Sequence, residues 1–204
     1  MTKRSPWQRA LGARIVELDP GLRAYFGLIP AGSEGRGEGV FEVVGTPRRW
    51  LWPLLALLAL DGVLFPVWQH TVPFSIRNRS TADGTVRATR TFHFTAGDRV
   101  MEDETGITAA GLTDRLGRRG IVSSHLRADV VRGRLVLRST GATLRLGRVR
   151  VSLGPLSPRV TLVERMDGER QHVSMRIELP LVGTLYEYAG SFTYSITPSG
   201  AISG

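Results

Sequence analysis

Three charged side chains lie on strand faces that are otherwise apolar. Arg90 alternates with apolar residues in the segment VRATRTFHF, Glu164 does so in VTLVERM, and Asp103 does so in MEDETGI. Side chains two apart along a strand point to the same face, so the pattern predicts all three charges inside a sheet. A buried charge is unfavourable unless it is paired. The pattern therefore indicates either a structural salt bridge between Arg90 and a carboxylate or polar groups on the wall of a ligand cavity.

Two kinds of function would use such polar groups. The leading hypothesis is a pocket that binds a hydrophobic small molecule or a lipid-like metabolite, since such pockets are mostly apolar with a few converging polar groups. The expected ligand contacts are Phe92, Phe94, Asp103, Tyr186, Tyr188, Trp52 and Leu55. The alternative is a cofactor-independent isomerase or cyclase of a polyketide or terpenoid-like intermediate. Its catalytic residues would be Glu164, which would move a proton if burial raised its pKa, and Arg90, which would steady an enolate or carboxylate.

Other catalytic chemistries lack their residues in this sequence. The chain has no cysteine, which excludes disulfides and thiolate chemistry. The four histidines are scattered, and the nucleophile-elbow motif G-x-S-x-G does not occur. The acidic run at residues 102–104 is divided between two strand faces, which disfavours a metal site. The glycine-rich segment PAGSEGRGEG precedes a strand rather than a helix, which disfavours a dinucleotide or phosphate loop. We therefore predict no cofactor and no metal.

Turn signals and hydrophobic periodicity predict the elements that position these residues. Ser5-Pro6 and Asp19-Pro20 start two short helices, and GVFEVV forms one short strand. After residue 70, alternating segments separated by turns predict a meander of about eight antiparallel strands, with a bulge or bend at Gly147.

The expected fold is α+β and mainly β. We predict a single domain over residues 1–204, with a mainly helical part at 1–70, the meander at 71–197 and a flexible tail at 198–204. A sheet of this size tends to curl. We expect the N-terminal helices to pack on a strongly curved antiparallel sheet, a barrel or half-barrel, that encloses an apolar cavity.

The net charge of +9 is unevenly distributed along the chain. Eleven arginines and one acid, Asp129, lie between Arg115 and Arg159. Such a region is either a solvated basic face or a surface that attracts an anionic group or an anionic membrane. The second interpretation gives a further alternative function, a peripheral membrane or interaction module that uses these basic strands. The arginine-rich residues 132–150 contain no aromatic side chain on which bases could stack, so nucleic acid is not the expected partner.

The most apolar run, RRWLWPLLALLALDGVLFPVWQH at residues 48–70, predicts a short helix rather than a membrane span. Trp50 to Leu60 would form about 16 Å of helix, roughly half of the bilayer core. Asp61 and Gly62 would end it, and an aspartate is unfavourable in lipid. We expect this helix to pack against the open side of the sheet, with an interfacial anchor as the alternative. The N-terminus has no signal-peptide pattern, so the expected location is cytoplasmic, with membrane association as the alternative.

Several motifs follow one another in a particular order: GEGVFEV, an apolar helix ending in LFP, then TRTFHF, EDETG, LSPRVTLVERMDG and ELPLVGTLYEYAG. This order, over residues 15 to 197, resembles an uncharacterised bacterial family of domains of unknown function. The residues that carry the resemblance are Arg90, Phe92, Glu164, Gly168, Pro180, Leu181, Gly183, Tyr188 and Gly190. That family occurs alone or C-terminal to saccharopine-dehydrogenase-like and other NAD-binding domains, mainly in actinobacteria and proteobacteria. The resemblance implies a shared fold and an NAD-binding partner protein, but it implies no chemistry.

Overall fold

A computed structural model describes residues 4–109, 111–179 and 182–199 of the chain. Its α-helices are α1 (Pro6–Leu11), α2 (Pro20–Tyr25) and α3 (Trp52–Ala59), and short 3-10 turns lie at Gly12–Glu17, Arg49–Leu51 and Gly154–Leu156. The strands in these ranges are β1 (Ser33–Gly45), β2 (Trp68–Ser80), β3 (Val86–Phe94), β4 (Gly97–Thr108), β5 (Gly111–Leu116), β6 (Val122–Val131), β7 (Arg134–Leu146), β8 (Val149–Ser152), β9 (Arg159–Asp167), β10 (Arg170–Leu179) and β11 (Gly183–Pro198).

Ten of these strands form a closed antiparallel barrel. Strands β1 to β7 pair in chain order, β7 pairs next with β9, and the ring continues through β10 and β11 back to β1. The short β8 pairs with the far end of β7 and extends it as a hairpin outside the ring. Each strand of the ring has a partner on both sides, which removes the free edges of an open sheet. The predicted curved, mainly β fold is confirmed as a closed barrel.

The expected number of about eight strands is too low, because β5 was not recognised as a strand and because β1 is also part of the barrel. We expected a loop followed by one short strand at GVFEVV, but β1 is a 13-residue strand that begins at Ser33. A side chain at Gly35 would overlap the ring of Tyr194, and one at Gly37 would crowd Ile76. These glycines therefore make room for large side chains inside the barrel, and they do not mark a flexible loop.

The N-terminal helices close one end of the barrel. Ser5 caps α1, since its hydroxyl accepts a hydrogen bond from the Gln8 amide at 3.1 Å, and Asp19 caps α2 by accepting from the Gly21 amide at 2.9 Å. Both predicted helix starts are confirmed. The Asp19 amide also donates to the Gly133 carbonyl at 2.9 Å, which ties this segment to the turn between β6 and β7.

Helix α3 and the chain that follows it cover the opposite end. Leu55 is buried on the inner side of α3, and Val63 and Phe65 continue the buried contact after the helix ends at Ala59. Full burial of each such side chain contributes roughly 1.5–3 kcal/mol. The predicted short helix is confirmed. None of the helices in the described ranges is long and apolar enough to cross a membrane.

Two smaller predictions need correction. Gly147 is neither a bulge nor a corner of the barrel: it lies at φ 62° in the tight turn between β7 and β8, where the chain reverses. The C-terminal tail was expected to begin at residue 198, but β11 includes Pro198, and the Ser199 amide donates to the Gly32 carbonyl at 2.7 Å. The rest of that predicted tail, residues 200–204, lies outside the described ranges.

Candidate functional site

Four charged residues from four strands point into the barrel at one level. Arg90 (β3), Asp103 (β4), Asp114 (β5) and Glu164 (β9) all line one interior cavity. We call these four residues the charged layer. Strand alternation places them inside, because their neighbours two residues away, such as Phe92 and Leu162, also belong to the core. The inward orientation predicted for Arg90, Asp103 and Glu164 is confirmed.

Arg90 and Asp103 form an ion pair across adjacent strands. The register places Ala88 opposite Asp103 and Arg90 opposite Met101, so the guanidinium reaches diagonally to the carboxylate. The Asp103 side chain is only 2% exposed, whereas that of Arg90 is 22% exposed because it also faces cavity space. The structure thus supplies the predicted salt bridge, with Asp103 as the carboxylate, and still leaves part of Arg90 open to an interior ligand.

Glu164 has a separate partner and an unusual acidity. The amide of Gln171, from the neighbouring strand β10, donates a hydrogen bond to Glu164 Oε2. Burial raises the pKa of Glu164 to about 7, and the Gln171 hydrogen bond and the positive charge of Arg90 only partly oppose this rise. The carboxyl is therefore divided between its protonated and ionised forms near neutral pH, which suits a group that donates or accepts a proton.

Asp114 is a member of the charged layer that the sequence interpretation missed. Its carboxylate accepts a hydrogen bond from the Thr105 hydroxyl at 3.1 Å. Burial raises the pKa of Asp114, and the charge of Arg90 opposes this shift. The signal was present in the alternation Leu112-Asp114-Leu116, but β5 is only six residues long and was not recognised as a strand.

Tyrosines add hydroxyl groups around the charged layer. Burial raises the pKa of Tyr188 to about 12, so its phenol stays protonated and can donate a hydrogen bond. Tyr25 of α2 packs edge-on against Tyr194 with ring centroids 4.5 Å apart, and the Asn78 amide lies 3.4 Å from the Tyr194 hydroxyl. Of this group, only Tyr188 was predicted to belong to the site.

Two small cavities meet at the charged layer. One has a volume of about 50 Å³ and extends towards Trp7 and Tyr25 of the N-terminal helices. The other has a volume of about 100 Å³ and extends towards Val63 and Leu64 after α3. Both are lined by Arg90, Asp114, Leu126, Leu137 and Leu162. The arrangement therefore places one guanidinium and several carboxyl groups beside a leucine-lined space.

The predicted ligand contacts divide into two groups. Asp103 lines the smaller cavity and Tyr188 the larger one. Four others belong to the hydrophobic core, and Trp52 is partly buried against that core. The described linings of the two cavities include none of these five residues: Phe92, Phe94, Tyr186, Trp52 and Leu55. A contact between these five residues and a ligand stays a prediction, as do the catalytic roles of Arg90 and Glu164.

The polar residues that the structure describes outside the barrel form no second buried charged layer. His93 lies at the surface and contacts Asp98 at 2.9 Å. Glu104 faces outward and pairs with Arg87 and Arg115, whereas Asp103 faces inward, so the acidic run is divided between two faces as predicted. Across the described ranges, no group of three histidine or acidic side chains is arranged to hold a metal ion.

The fold and its interior define a closed antiparallel β-barrel with a buried layer of charged residues. The chain belongs to the family described as a domain of unknown function, DUF4166, which matches residues 18–192. This confirms the part of the resemblance that concerned an uncharacterised family; its bacterial distribution and its NAD-binding neighbours stay predictions. Two motif residues, Pro180 and Leu181, lie outside the described ranges. Neither the curated proteins nor the solved structures give a match.

Proposed function

We propose that the barrel binds a small, mainly apolar molecule whose polar group contacts the charged layer. The observation that carries this proposal is that Arg90, Asp114 and three leucines line both interior cavities. Apolar walls with a few convergent polar groups are typical of ligand sites. The cavities are smaller than the roughly 300–1,000 Å³ of pockets for drug-sized ligands, so the occupant of this conformation is about the size of one substituted ring. A longer lipid-like metabolite would require one end of the barrel to open.

The charges indicate which polar group the molecule carries. Three carboxyl groups and one guanidinium line the smaller cavity, so a further carboxylate would be repelled. Arg90 and a protonated Glu164 both donate hydrogen bonds, and each would find an acceptor in a carbonyl oxygen. A ketone, aldehyde or ester fits these donors better than a free acid does.

The first experiment uses two probes of similar shape, acetophenone and ethylbenzene, of which only the first carries a carbonyl. We expect acetophenone to raise the melting temperature of the protein more than ethylbenzene does. Leu162→Phe would fill space that belongs to both cavities and should abolish the effect of both probes. Val40→Phe, on the outer face of β1, is the matched control and should keep it. An equal response of the two variants would contradict binding inside the barrel.

A second experiment identifies the natural occupant. Native mass spectrometry of the protein purified from its own cells should show an added mass of a small molecule, which organic extraction releases. The Leu162→Phe variant should lack this mass and Val40→Phe should retain it. A mass that survives Leu162→Phe would place the occupant elsewhere on the protein.

A proton-transfer enzyme is the second candidate function, and the pKa of Glu164 favours it. Such an enzyme would use the carboxyl to move a proton at the carbon next to a carbonyl, while Arg90 stabilised the resulting enolate. In deuterated water, the wild-type protein should then exchange hydrogen for deuterium in the extracted ligand, as measured by mass spectrometry. Glu164→Gln should bind the ligand and exchange nothing. Equal exchange by both proteins would exclude this role of Glu164.

A further inference from the structure

A stripe of exposed apolar side chains lies on the outer side of α3 and of the residues that flank it. Trp50, Leu54, Leu57 and Leu60 are between 55% and 73% exposed, and their spacing of three or four residues places them on neighbouring turns. Leu51 and Leu55, on the inner side, are buried in the core. We call the four exposed residues the α3 stripe. A contiguous patch of exposed apolar side chains is typical of a surface that binds another protein or a membrane.

A basic cleft adjoins this stripe. The cleft has a volume of about 290 Å³ and is lined by six arginines together with Glu102, Asp103, Glu104, Ser123 and Thr143. Glu104 forms ion pairs with Arg87 at 3.0 Å and with Arg115 at 2.6 Å. The other four guanidinium groups form no ion pair within the described ranges: Arg118, Arg119, Arg145 and Arg150. The cleft therefore keeps an excess of positive charge and would attract anions.

Direct hydrogen bonds join the cleft to the stripe. The guanidinium of Arg118 donates to the Leu60 carbonyl at 2.7 Å, and its amide donates to the Asp61 carbonyl at 2.9 Å. The Arg119 amide donates to the Asp61 carboxylate at 3.1 Å. The turn at residues 117–120 is thus fastened to the end of α3. The basic cleft and the C-terminal end of the α3 stripe are consequently neighbours at one end of the barrel.

We propose that this face docks on an anionic lipid bilayer. The α3 stripe would enter the interface between headgroups and acyl chains, and the arginines of the cleft would contact lipid phosphates. Apolar side chains with tryptophan, flanked by basic residues, are typical of helices that lie in the membrane interface. Arg49, which stacks on Trp52 with its Cζ 5.7 Å from the ring centroid, adds a basic group beside Trp50.

A bilayer fits this face better than nucleic acid or a second copy of the chain does. No aromatic side chain is among the described residues that line the cleft, so bases would find no stacking partner there. A second copy would place the excess of arginines opposite the same excess around a two-fold axis, which is repulsive. An anionic membrane offers acyl chains to the α3 stripe and negatively charged headgroups to the arginines of the cleft.

The test is flotation of the protein with vesicles of phosphatidylcholine alone or of equal parts of phosphatidylcholine and phosphatidylglycerol. We expect binding to the anionic vesicles and little binding to the neutral ones. Leu57→Glu should weaken binding by about tenfold or more, because it removes an apolar group from the interface and adds a negative charge. Val16→Glu is the matched control: Val16 is 67% exposed, as Leu57 is 65% exposed, but it lies among the helices at the opposite end.

The arginines are tested in the same assay. Arg119→Ser and Arg150→Ser should each weaken binding about fivefold, whereas Arg9→Ser in α1 should change it little. Equal binding to both kinds of vesicle, or equal binding of Leu57→Glu and Val16→Glu, would overturn the proposal. So would a dimer in sedimentation that Leu57→Glu dissociates while vesicle binding is absent. Leu60→Glu, at another exposed position, repeats the test if Leu57→Glu does not fold.

Discussion

The two sides of the barrel interior differ in how completely they are filled. On the side of β1 to β3, the rings of Phe41, Phe74 and Phe92 pack with centroids 4.5 to 5.6 Å apart. On the side of β6, β7 and β9, Leu126, Leu137 and Leu162 face both cavities. We call these the aromatic side and the leucine side.

This difference shows that the unfilled space in the barrel lies on the leucine side. A barrel of ten strands is wide, and large aromatic side chains are needed to fill it. The aromatic side has such rings, whereas the leucine side carries branched aliphatic side chains around the charged layer. Aromatic packing therefore holds the fold together, and the cavities lie where the titratable groups are. A site that is open beside charged groups is expected for a binding function, because a purely structural ion pair gains nothing from adjoining space.

The largest expected effect is on the aromatic side. Phe92→Ala should lower the free energy of unfolding by about 4 kcal/mol, because Phe92 is fully buried and contacts rings from β1, from β2 and from the segment after α3. Urea denaturation followed by circular dichroism measures this loss. Trp50→Ala removes an exposed aromatic side chain and should change stability by less than about 0.5 kcal/mol. A loss below about 1.5 kcal/mol for Phe92→Ala would show that the aromatic side is not tightly packed.

The second effect concerns the charged layer. Arg90→Met should lower the free energy of unfolding by about 3 kcal/mol at pH 8, because Asp103 loses its ion pair and the nearby Asp114 and Glu164 lose a positive charge. The loss should shrink at pH 5, where Asp114 and Glu164, whose pKa values are raised by burial, can take up protons. Denaturation of the variant and the wild type at both pH values measures the difference.

Arg87→Met is the control for that experiment. Arg87 is on the same strand but faces outward, and its exposed ion pair with Glu104 should contribute less than about 1 kcal/mol. A change in the free energy of unfolding at pH 8 that is as small for Arg90→Met as for Arg87→Met would contradict the prediction. That result would mean that the interior carboxyls are neutral once the guanidinium is removed.

Much of the fold could be predicted from the sequence because strand alternation is a local property. In β3 and β9 the apolar residues recur at every second position, which identified the faces of Arg90 and Glu164 without knowledge of their neighbours. The helix caps at Ser5 and Asp19 are local for the same reason. The glycine-rich start of β1 could not be predicted in this way. Tyr194, whose side chain needs the space at Gly35, lies in β11, far from Gly35 in the sequence.

The partners within the site could not be predicted in the same way. Alternation showed that carboxylates accompany Arg90 inside, but only the register of β3 and β4 selects Asp103 over Glu164 as the ion-pair partner. Phe92 packs among other aromatic rings, which the alternation alone does not show, and its contact with a ligand stays a prediction. Periodicity tells which residues are inside, whereas packing density depends on the sizes of residues far apart in the chain.

The third effect depends on pH and comes from Glu164. A carboxyl whose pKa is raised from 4.5 to about 7 by folding stabilises the protein below pH 4.5 and loses that contribution as the pH rises towards 7. Glu164→Gln keeps an acceptor for Gln171 but cannot ionise. Relative to the wild type, the variant should therefore gain up to about 2–3 kcal/mol of stability between pH 5 and pH 8.

Thermal denaturation of both proteins over this pH range checks the prediction. Glu187→Gln, at a half-buried carboxylate that pairs with Arg176 on the outside of the barrel, is the control and should show no such gain. A constant difference between Glu164→Gln and the wild type would mean that Glu164 ionises with an ordinary pKa.

The smallest expected effect tests whether the leucine side is occupied. Ser124 is buried, lines the larger cavity, and has a hydroxyl without a hydrogen-bond partner in the described part of the chain. Ser124→Ala in the purified, ligand-free protein should change the free energy of unfolding by less than about 0.5 kcal/mol, because no protein hydrogen bond is broken. Ser123→Ala, on the outward face of the same strand, is the control. A loss of about 1.5 kcal/mol or more for Ser124→Ala would instead mean that the hydroxyl binds an ordered water molecule, so that the space on the leucine side would not be empty.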